Sequence, residues 1–256
     1  MTIHQSSLEA ALDQQQEHGV PASVLVLLCT YNEIGNLPKV VNLLTKQMPD
    51  ADILVVDDNS PDGTGRWAAE NAQQNSKLSV LCRAGKLGLG SATRDGIAWA
   101  LARNYQYLIN FDADLSHDPR DARTLLDVCL SAPARIDVSI GSRYVSGGKT
   151  LGLSWFRRQA SKIFNLYAIK MLKLPIRDCS GSFRCYRISK LRELETTKMT
   201  CNGYGFLEEI LFHLHRRGAR FVEVPITYEH RLSGTSKLSL SDACGALLVI
   251  HRLAFG

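Results

Sequence analysis

Nowhere in this 256-residue chain do about 20 apolar residues run together, so no stretch reads as a membrane-spanning helix. The opening Met1-Thr-Ile-His-Gln-Ser has neither a basic flank nor an apolar centre, which argues against a secretory leader. Cys-x-x-Cys is missing too. The seven cysteines (29, 82, 129, 179, 185, 201 and 244) are odd in number and scattered. Several lie inside apolar runs, so they are expected to be reduced core thiols of a cytosolic protein, not a disulfide or zinc framework. No Gly-x-Gly-x-x-Gly follows the first apolar run, which disfavours a dinucleotide-dependent dehydrogenase. Gly85-Lys-Leu-Gly-Leu-Gly90-Ser91 lacks the Lys-[Ser/Thr] of a nucleotide-binding P-loop. It reads as a loop ahead of a helix, with Lys86 able to line a site. His213 and His215, two apart on a helix, cannot share a face as metal ligands. No repeat or low-complexity tract is present.

Hydrophobic content of 45% and charged content of 21% are those of an ordinary globular domain, long enough for one substantial core. The net charge of +5 hides an asymmetry. Residues 1–148 hold 12 Lys+Arg against 17 Asp+Glu, and residues 149–256 hold 18 against 8, so the halves carry −5 and +10. One part suits a cation and the other anions. Nucleic acid, anionic lipid and phosphorylated small molecules all satisfy that pattern.

Strand and helix signals alternate along the chain. Apolar strands are expected at Val24–Leu28, Ile53–Val56, Leu78–Leu81, Leu108–Phe111 and Val138–Ile140. Helices are expected at Gly35–Gln47, around Trp67–Asn75, at Ser91–Arg103 and at Arg120–Leu130. After Gly147-Gly148 come a long amphipathic helix, Trp155–Leu172, a strand near Phe183–Tyr186, a helix at Phe206–Arg217 and a strand at Phe221–Ile226. Strands alternating with helices of ten or more residues imply βαβ crossovers and a mostly parallel α/β sheet flanked by helices, in a single domain. Residues 1–22, rich in Gln and Glu, read as a peripheral arm, residues 23–237 as the domain, and residues 238–256 as an amphipathic tail.

Three loops follow strands and so converge on one sheet edge, where open α/β sheets bind ligands. They are Cys29-Thr-Tyr-Asn-Glu33, Asp57-Asp-Asn-Ser-Pro-Asp-Gly-Thr64 and Asp112-Ala-Asp-Leu-Ser-His-Asp-Pro119. Asp112 and Asp114 repel each other unless a proton or divalent cation sits between them. Mg²⁺ is usually held by one or two carboxylates and phosphate oxygens. Tyr31 offers a face to a base, Asp62 is expected to cap the next helix, and His117 is either a contact behind the site or a plain loop residue.

These strings resemble those of inverting GT-A glycosyltransferases of family 2, and more narrowly the dolichol-phosphate (polyprenol-phosphate) mannosyltransferases. The likeness continues through Gly141-Ser-Arg-Tyr144, Arg157-Arg-x-x-Ser-Lys162, Asp178-x-Ser-Gly-Ser-Phe-Arg-x-Tyr-Arg187, Gly203-Tyr-x-Phe206, Glu223-Val-Pro-Ile226 and His230-Arg-x-x-Gly-x-Ser-Lys237. It spans roughly residues 23–237.

The resemblance implies a Rossmann-like GT-A sheet and a role for each matched position. Asp112 and Asp114 match the pair that holds Mg²⁺ or Mn²⁺ on the sugar-nucleotide diphosphate. Tyr31, Glu33, Val56 and Asp58 match nucleotide contacts, with Cys29 and Ala113 contacting through backbone. Arg143, Arg231 and Lys237 match cations near the diphosphate and the acceptor phosphate; Arg157 and Ser161 match a pair reaching that phosphate. Cys29 replaces the family's usual Pro, Asn59 its Gly, and Lys162 its Arg. Ser116 stands where some relatives place Gln as a third metal ligand.

The implied reaction moves mannose from GDP-mannose to dolichol or polyprenol phosphate with inversion, metal-dependent and without a general base. Catalysis would rest on Asp114, Arg143, Arg157 and Ser161. A phosphate monoester is already anionic at neutral pH and needs no proton removed, so cations beside the metal should matter more than a base. Glu208 and Glu209 are the rival bases. The lipid acceptor implies a protein on the cytoplasmic face of a membrane, without nucleic acid and with room for an anchoring subunit; Trp155, Phe156, Phe164 and the tail around Ala246–Ile250 would touch that membrane, the tail's alternative being a C-terminal helix packed on the core. UDP-glucose or another donor is the near alternative. A sugar-nucleotide nucleotidyltransferase would want a Gly-rich, Arg-containing loop after the first strand; a non-catalytic lipid-phosphate- or RNA-binding module leaves the acidic pair unexplained.

Overall fold

In a computed structural model of the chain, residues 23–131, 135–196, 199, 201–230 and 240–255 are described, with no account of the side chains of 240–243. The 1–22 arm, Arg231 and Lys237 lie outside the described residues.

Strand β1 (Val24–Thr30) is apolar on both faces, as a strand covered by helices on both sides must be. Val24, Val26 and Leu28 join one core, while Leu25 and Leu27 join the other. Seven strands order as β3-β2-β1-β4-β7-β5-β8. They are β2 (Asp52–Asp57), β3 (Leu78–Cys82), β4 (Tyr107–Asp112), β5 (Val138–Ser142), β7 (Arg184–Arg187) and β8 (Phe221–Pro225) beside β1. All pairings are parallel except those of β7, which runs antiparallel to both β4 and β5. The expected mostly parallel GT-A-type sheet is therefore present, with one reversed strand.

Helices α1 (Leu37–Gln47), α2 (Thr64–Ala72) and α4 (Pro119–Leu130) cover the first core. The second is covered by α3 (Leu89–Ala102), α5 (Trp155–Leu172), α7 (Phe206–Arg216) and α8 (Leu240–Phe255). A short α6 (Ile188–Leu191) follows β7. Gly96 of α3 lies so close to the sheet that a Cβ there would meet the Leu27 methyls at 2.5 Å. The expected helix and strand boundaries hold within about three residues, and α5 matches at both ends.

Two features differ from expectation. The strand near Phe183 begins one residue later, at Arg184, whose side chain is fully buried and donates to the carbonyls of Leu207 (2.7 Å) and Cys179 (2.6 Å). A second, two-stranded parallel sheet of β6 (Lys149–Leu151) and β9 (Thr227–Glu229) went unread, because three-residue strands carry no periodicity. Cys129, Cys179 and Cys185 are core thiols as expected, but Cys82 and Cys244 are exposed.

Candidate active site

Strands β2 and β3 lie on one side of β1 and β4 on the other, so β1 and β4 meet at the switch point of the sheet. Crevices open there at the strands' carboxyl ends. Cys29 stands level with both Val56 and Asp112 in the ladder, which brings the three expected loops together. Each contains a non-glycine residue in the left-handed region: Asn32 (φ 56°), Asn59 (φ 55°) and Leu115 (φ 62°). Such backbone costs energy and gathers at functional loops. Asn at 59 suits this backbone, since Asn is among the side chains that adopt this conformation most readily.

Two aspartates hold the loops in shape. Buried Asp57 accepts from Thr30 Oγ1 (2.8 Å), Ser60 N (2.8 Å) and Ser60 Oγ (2.6 Å). Asp62 accepts from Thr64 N and Oγ1 and from Ile34 N, so it stitches the first loop to the second; the N-cap of α2 is Gly63 (φ 91°), and Asp62, expected there, bonds the helix start from one residue earlier.

The acidic pair differs in exposure. The Asp112 side chain is 33% exposed, whereas Asp114 is buried and accepts from Ser116 N at 3.0 Å. His117 Nε2 lies 3.3 Å from Asp112 Oδ2. Ser116 Oγ is buried with no hydrogen-bond partner among the described residues. No group of three or more His, Cys, Asp or Glu able to hold a metal occurs among the described residues. Two carboxylates at a crevice mouth, with an unused hydroxyl beside them, fit a hard cation whose other ligands come from a diphosphate and water.

The positions expected to contact a nucleotide belong to the same strand ends and loops. Lys86 Nζ sits 4.6 Å over the Tyr31 ring. Glu33 is buried and accepts from Asn36 Nδ2. The Val56 and Ala113 side chains are in the core, which leaves only their backbone to face a ligand. Cys29 contacts Thr93, and burial pushes its thiol up to about 12, so it is an inert neutral thiol. Asp58 is bonded to Arg83 Nη1 (2.5 Å) and to the backbone N–H groups of Leu87 and Gly88 (3.0 Å each). Arg83 was not singled out from sequence. It is buried, it also meets Asp95 and Ser91, and it braces the loop that carries Lys86. Its only signal was a cation directly after a strand that ends at the ligand edge.

Just past β5, Arg143 forms a two-pronged pair with Asp178: Nε to Oδ2 at 2.8 Å and Nη2 to Oδ1 at 2.7 Å. Nη2 also reaches Ser180. Burial works against both charges. The paired hydrogen bonds and opposite charge outweigh it, lowering the Asp178 pKa and raising that of Arg143. Tyr144, next in the chain, shares a 3.0 Å hydrogen bond with Ser161, which ties α5 to the end of β5. Arg157 is exposed in the first turn of α5, behind its N-cap Ser154. Phe164, expected at a membrane surface, instead packs against the second core.

The rival bases are both buried. Glu209 holds Cys201 N–H and Arg252 of α8. Burial pushes the Glu208 carboxyl up to about 7, with Arg184 pulling the other way. An acid whose folded pKa is raised binds its proton more tightly when folded, so its contribution is full below the unfolded value of about 4.3 and lost by about pH 7. Glu208→Gln should therefore gain stability relative to the native protein between pH 5 and 8, on the order of 3 kcal/mol, while retaining turnover. Urea titrations at the two pH values check this, and a flat difference would contradict it.

The comparisons with known proteins agree with the geometry. The family model described as "Glycosyl transferase family 2" matches residues 25–195. An undecaprenyl-phosphate mannosyltransferase of Micrococcus luteus is 42% identical over 84% of this chain and 87% of its own. A polyprenol monophosphomannose synthase of Mycolicibacterium smegmatis is 39% identical over 88% of this chain and 84% of its own. Among solved structures, glucosyl-3-phosphoglycerate synthase of Mycobacterium tuberculosis, crystallised with Mn²⁺, UDP and glucosyl-3-phosphoglycerate, superposes with a TM-score of 0.67. That superposition covers 99% of this chain and 86% of the other at 16% identity, a likeness of fold alone. With its sheet-edge acids, its reversed strand and this extent of match, the chain belongs to glycosyl transferase family 2.

Proposed function

We propose that this protein transfers mannose from GDP-mannose to a polyprenol (dolichol-type) phosphate, with inversion at the sugar carbon. The observation that carries the reading is the meeting, on one sheet edge, of Asp112 and Asp114 with Arg143 and with the helix bearing Ser161 and Arg157. Two relatives named for mannosyl transfer to undecaprenyl or polyprenol phosphate, aligned over most of this chain, support it.

Asp112 and Asp114 would hold Mg²⁺ or Mn²⁺, which when bound neutralises charge gathering on the departing diphosphate. Tyr31, Glu33, Asp58 and the backbone at Cys29, Val56 and Ala113 line the nucleotide side. Arg157 and Ser161, with Arg143, face the acceptor phosphate, and Arg231 and Lys237 add cations from outside the described residues. The monoester, with a second pKa of about 6, arrives as a nucleophile. No side chain then needs to take a proton, which suits the burial of Glu208 and Glu209.

The lipid is reached from an exposed apolar face. Trp155, Phe156 (79% exposed), Ile163 and Leu166 of α5 lie near Arg157, Arg158, Lys162 and Lys170, and Leu248 and Phe255 of α8 add to them. Tyr167 and His251 join the two helices at 2.9 Å. Among the described residues no helix is long and apolar enough to cross a membrane. Such a face lies in the interface plane, its cations against anionic headgroups on the cytoplasmic side.

A panel of radiolabelled sugar nucleotides with a short polyprenol phosphate tests the reading. Label should enter the lipid extract from GDP-mannose; label from UDP-glucose instead would replace the donor, and none from any donor would sink the assignment. Arg157→Ala should raise the KM for polyprenol phosphate about tenfold or more, the worth of one charge-assisted contact, with the GDP-mannose KM unchanged. Equal loss on both substrates would move the acceptor to another helix.

A further inference from the structure

Tyr144 stands between Arg143 and Ser161, two of the groups placed against the acceptor phosphate. Its hydroxyl shares a 3.0 Å hydrogen bond with Ser161 Oγ, and its ring centroid lies 5.1 Å from Arg143 Cζ. A second ring, that of Tyr228 on β9, lies 5.6 Å from the same carbon. Aromatic faces at such distances attract a guanidinium. Nε and Nη2 of Arg143 are already committed to Asp178 and Ser180, so the rings add to a cation whose plane is fixed.

The backbone leaves Tyr144 little freedom. Its N–H donates to Ser142 Oγ at 3.3 Å. The turn closes where Gly148 N–H donates to the Val145 carbonyl at 3.0 Å. A Cβ at Gly148 would meet the carbonyl oxygens of Ser142 and Arg143 at 2.6 and 2.9 Å, so the chain returns hard against the end of β5. Lys149 N–H then donates to the Ile226 carbonyl at 2.9 Å, which pins the far end of the turn beside β9.

The hydroxyl pair has a direction. A serine inside a helix commonly bonds back to the carbonyl four residues earlier, but Ser161 turns to Tyr144 instead. Two hydroxyls that share one bond have one hydrogen left to give. A phenol is a stronger donor than an alkyl hydroxyl, so Tyr144 donates and the remaining hydrogen is that of Ser161. A hydroxyl that accepts one bond donates its own more strongly, and an anionic phosphate oxygen is the acceptor that gains most from it.

We infer that Tyr144 is a positioning residue for the acceptor: by donating to Ser161 Oγ it turns the Ser161 hydrogen toward the acceptor phosphate, while its ring steadies the Arg143 guanidinium. This rests on the acceptor role proposed for Ser161 and Arg143.

Initial rates of the full chain with GDP-mannose and a short polyprenol phosphate test it as a double-mutant cycle. Tyr144→Phe keeps the ring and removes the hydroxyl. It should raise the KM for polyprenol phosphate about three- to tenfold, the worth of one hydrogen bond, and leave that for GDP-mannose within about twofold of native. Ser161→Ala should raise the polyprenol phosphate KM at least as much. Adding Tyr144→Phe to Ser161→Ala should then change it by less than about twofold, because the hydroxyl that Tyr144 orients is gone. A native polyprenol phosphate KM in Tyr144→Phe, an equal rise for both substrates, or the same rise with and without the Ser161 hydroxyl overturns the inference and leaves the acceptor reading standing. A native KM in Ser161→Ala overturns the acceptor reading, and the inference with it. Should Tyr144→Phe not fold, neutron diffraction from the deuterated native protein decides: deuterium on Tyr144 Oη between the two oxygens is expected, and deuterium from Ser161 Oγ in that place overturns it.

Discussion

Asp112→Asn and Asp114→Asn are each expected to cut mannosyl transfer by about a thousandfold or more, roughly 4 kcal/mol of transition-state stabilisation, with the fold intact. The size follows from where the charge goes. Departure of a nucleoside diphosphate concentrates negative charge on the leaving phosphate, and an amide holds a cation there far less well than a carboxylate. The fold should survive because Asp114→Asn keeps an oxygen to accept from Ser116 N, and the Asp112 side chain is a third exposed at the end of β4. Circular dichroism and thermal melts verify that, and the assay of lipid-linked mannose reads the loss. EDTA should silence the native enzyme, and added Mn²⁺ or Mg²⁺ should restore it. Undiminished transfer by either variant, or by native enzyme in EDTA, would refute the assignment.

The second large effect is on stability. Asp178 is fully buried and is held to Arg143 by two side-chain hydrogen bonds, with the Arg143 backbone N–H as a third at 3.0 Å. Asp178→Asn strands a guanidinium only 11% exposed, and breaking one partner of a buried pair costs about 3–5 kcal/mol. For a domain of this size that is a fall in Tm of about 10 °C. Removing both charges, as Asp178→Leu with Arg143→Leu, should cost less than the single change, because nothing is left unpaired. The pH dependence has a definite sign. A carboxyl whose folded pKa is lowered stabilises above its unfolded value of about 3.9, and that contribution is lost as pH falls through the folded one. Native protein and Asp178→Asn should thus differ most near neutrality and converge in strong acid. A difference under about 1 kcal/mol at pH 7 by urea unfolding would mean the pair is not the brace it looks to be.

What the sequence reveals here is governed by range. Leu37, Val40, Val41 and Leu44 repeat at helical spacing, so α1 is legible within one window. Asp112 and Asp114 stop an apolar run, so their place at a strand end is legible too. The pairing of Asp58 with Arg83 is not, because 25 residues separate them and either could have faced solvent. Arg143 reads as a phosphate ligand from its string alone, yet two of its guanidinium donors go to Asp178, 35 positions away, and another to Ser180. Which face of α5 turns inward was ambiguous for the same reason: Phe156 and Phe164 both fit an amphipathic pattern, and only the core beneath distinguishes them. The reversal of β7 was hidden because Arg184–Arg187 is short and strand direction leaves no trace in composition.

That reversed strand is a seam. On one side, β3-β2-β1-β4 carries every loop assigned to the sugar nucleotide; on the other, β5 and β8 lead into Arg143, Tyr144 and the β6–β9 lip. Within the seven-stranded sheet the halves are joined by Arg184–Arg187, whose ladder partners on both sides are backbone and therefore indifferent to side-chain identity. Mutation can accordingly reshape the far half without disturbing the register that levels Cys29 with Asp112. A lineage could change what it glycosylates while inheriting its donor machinery whole.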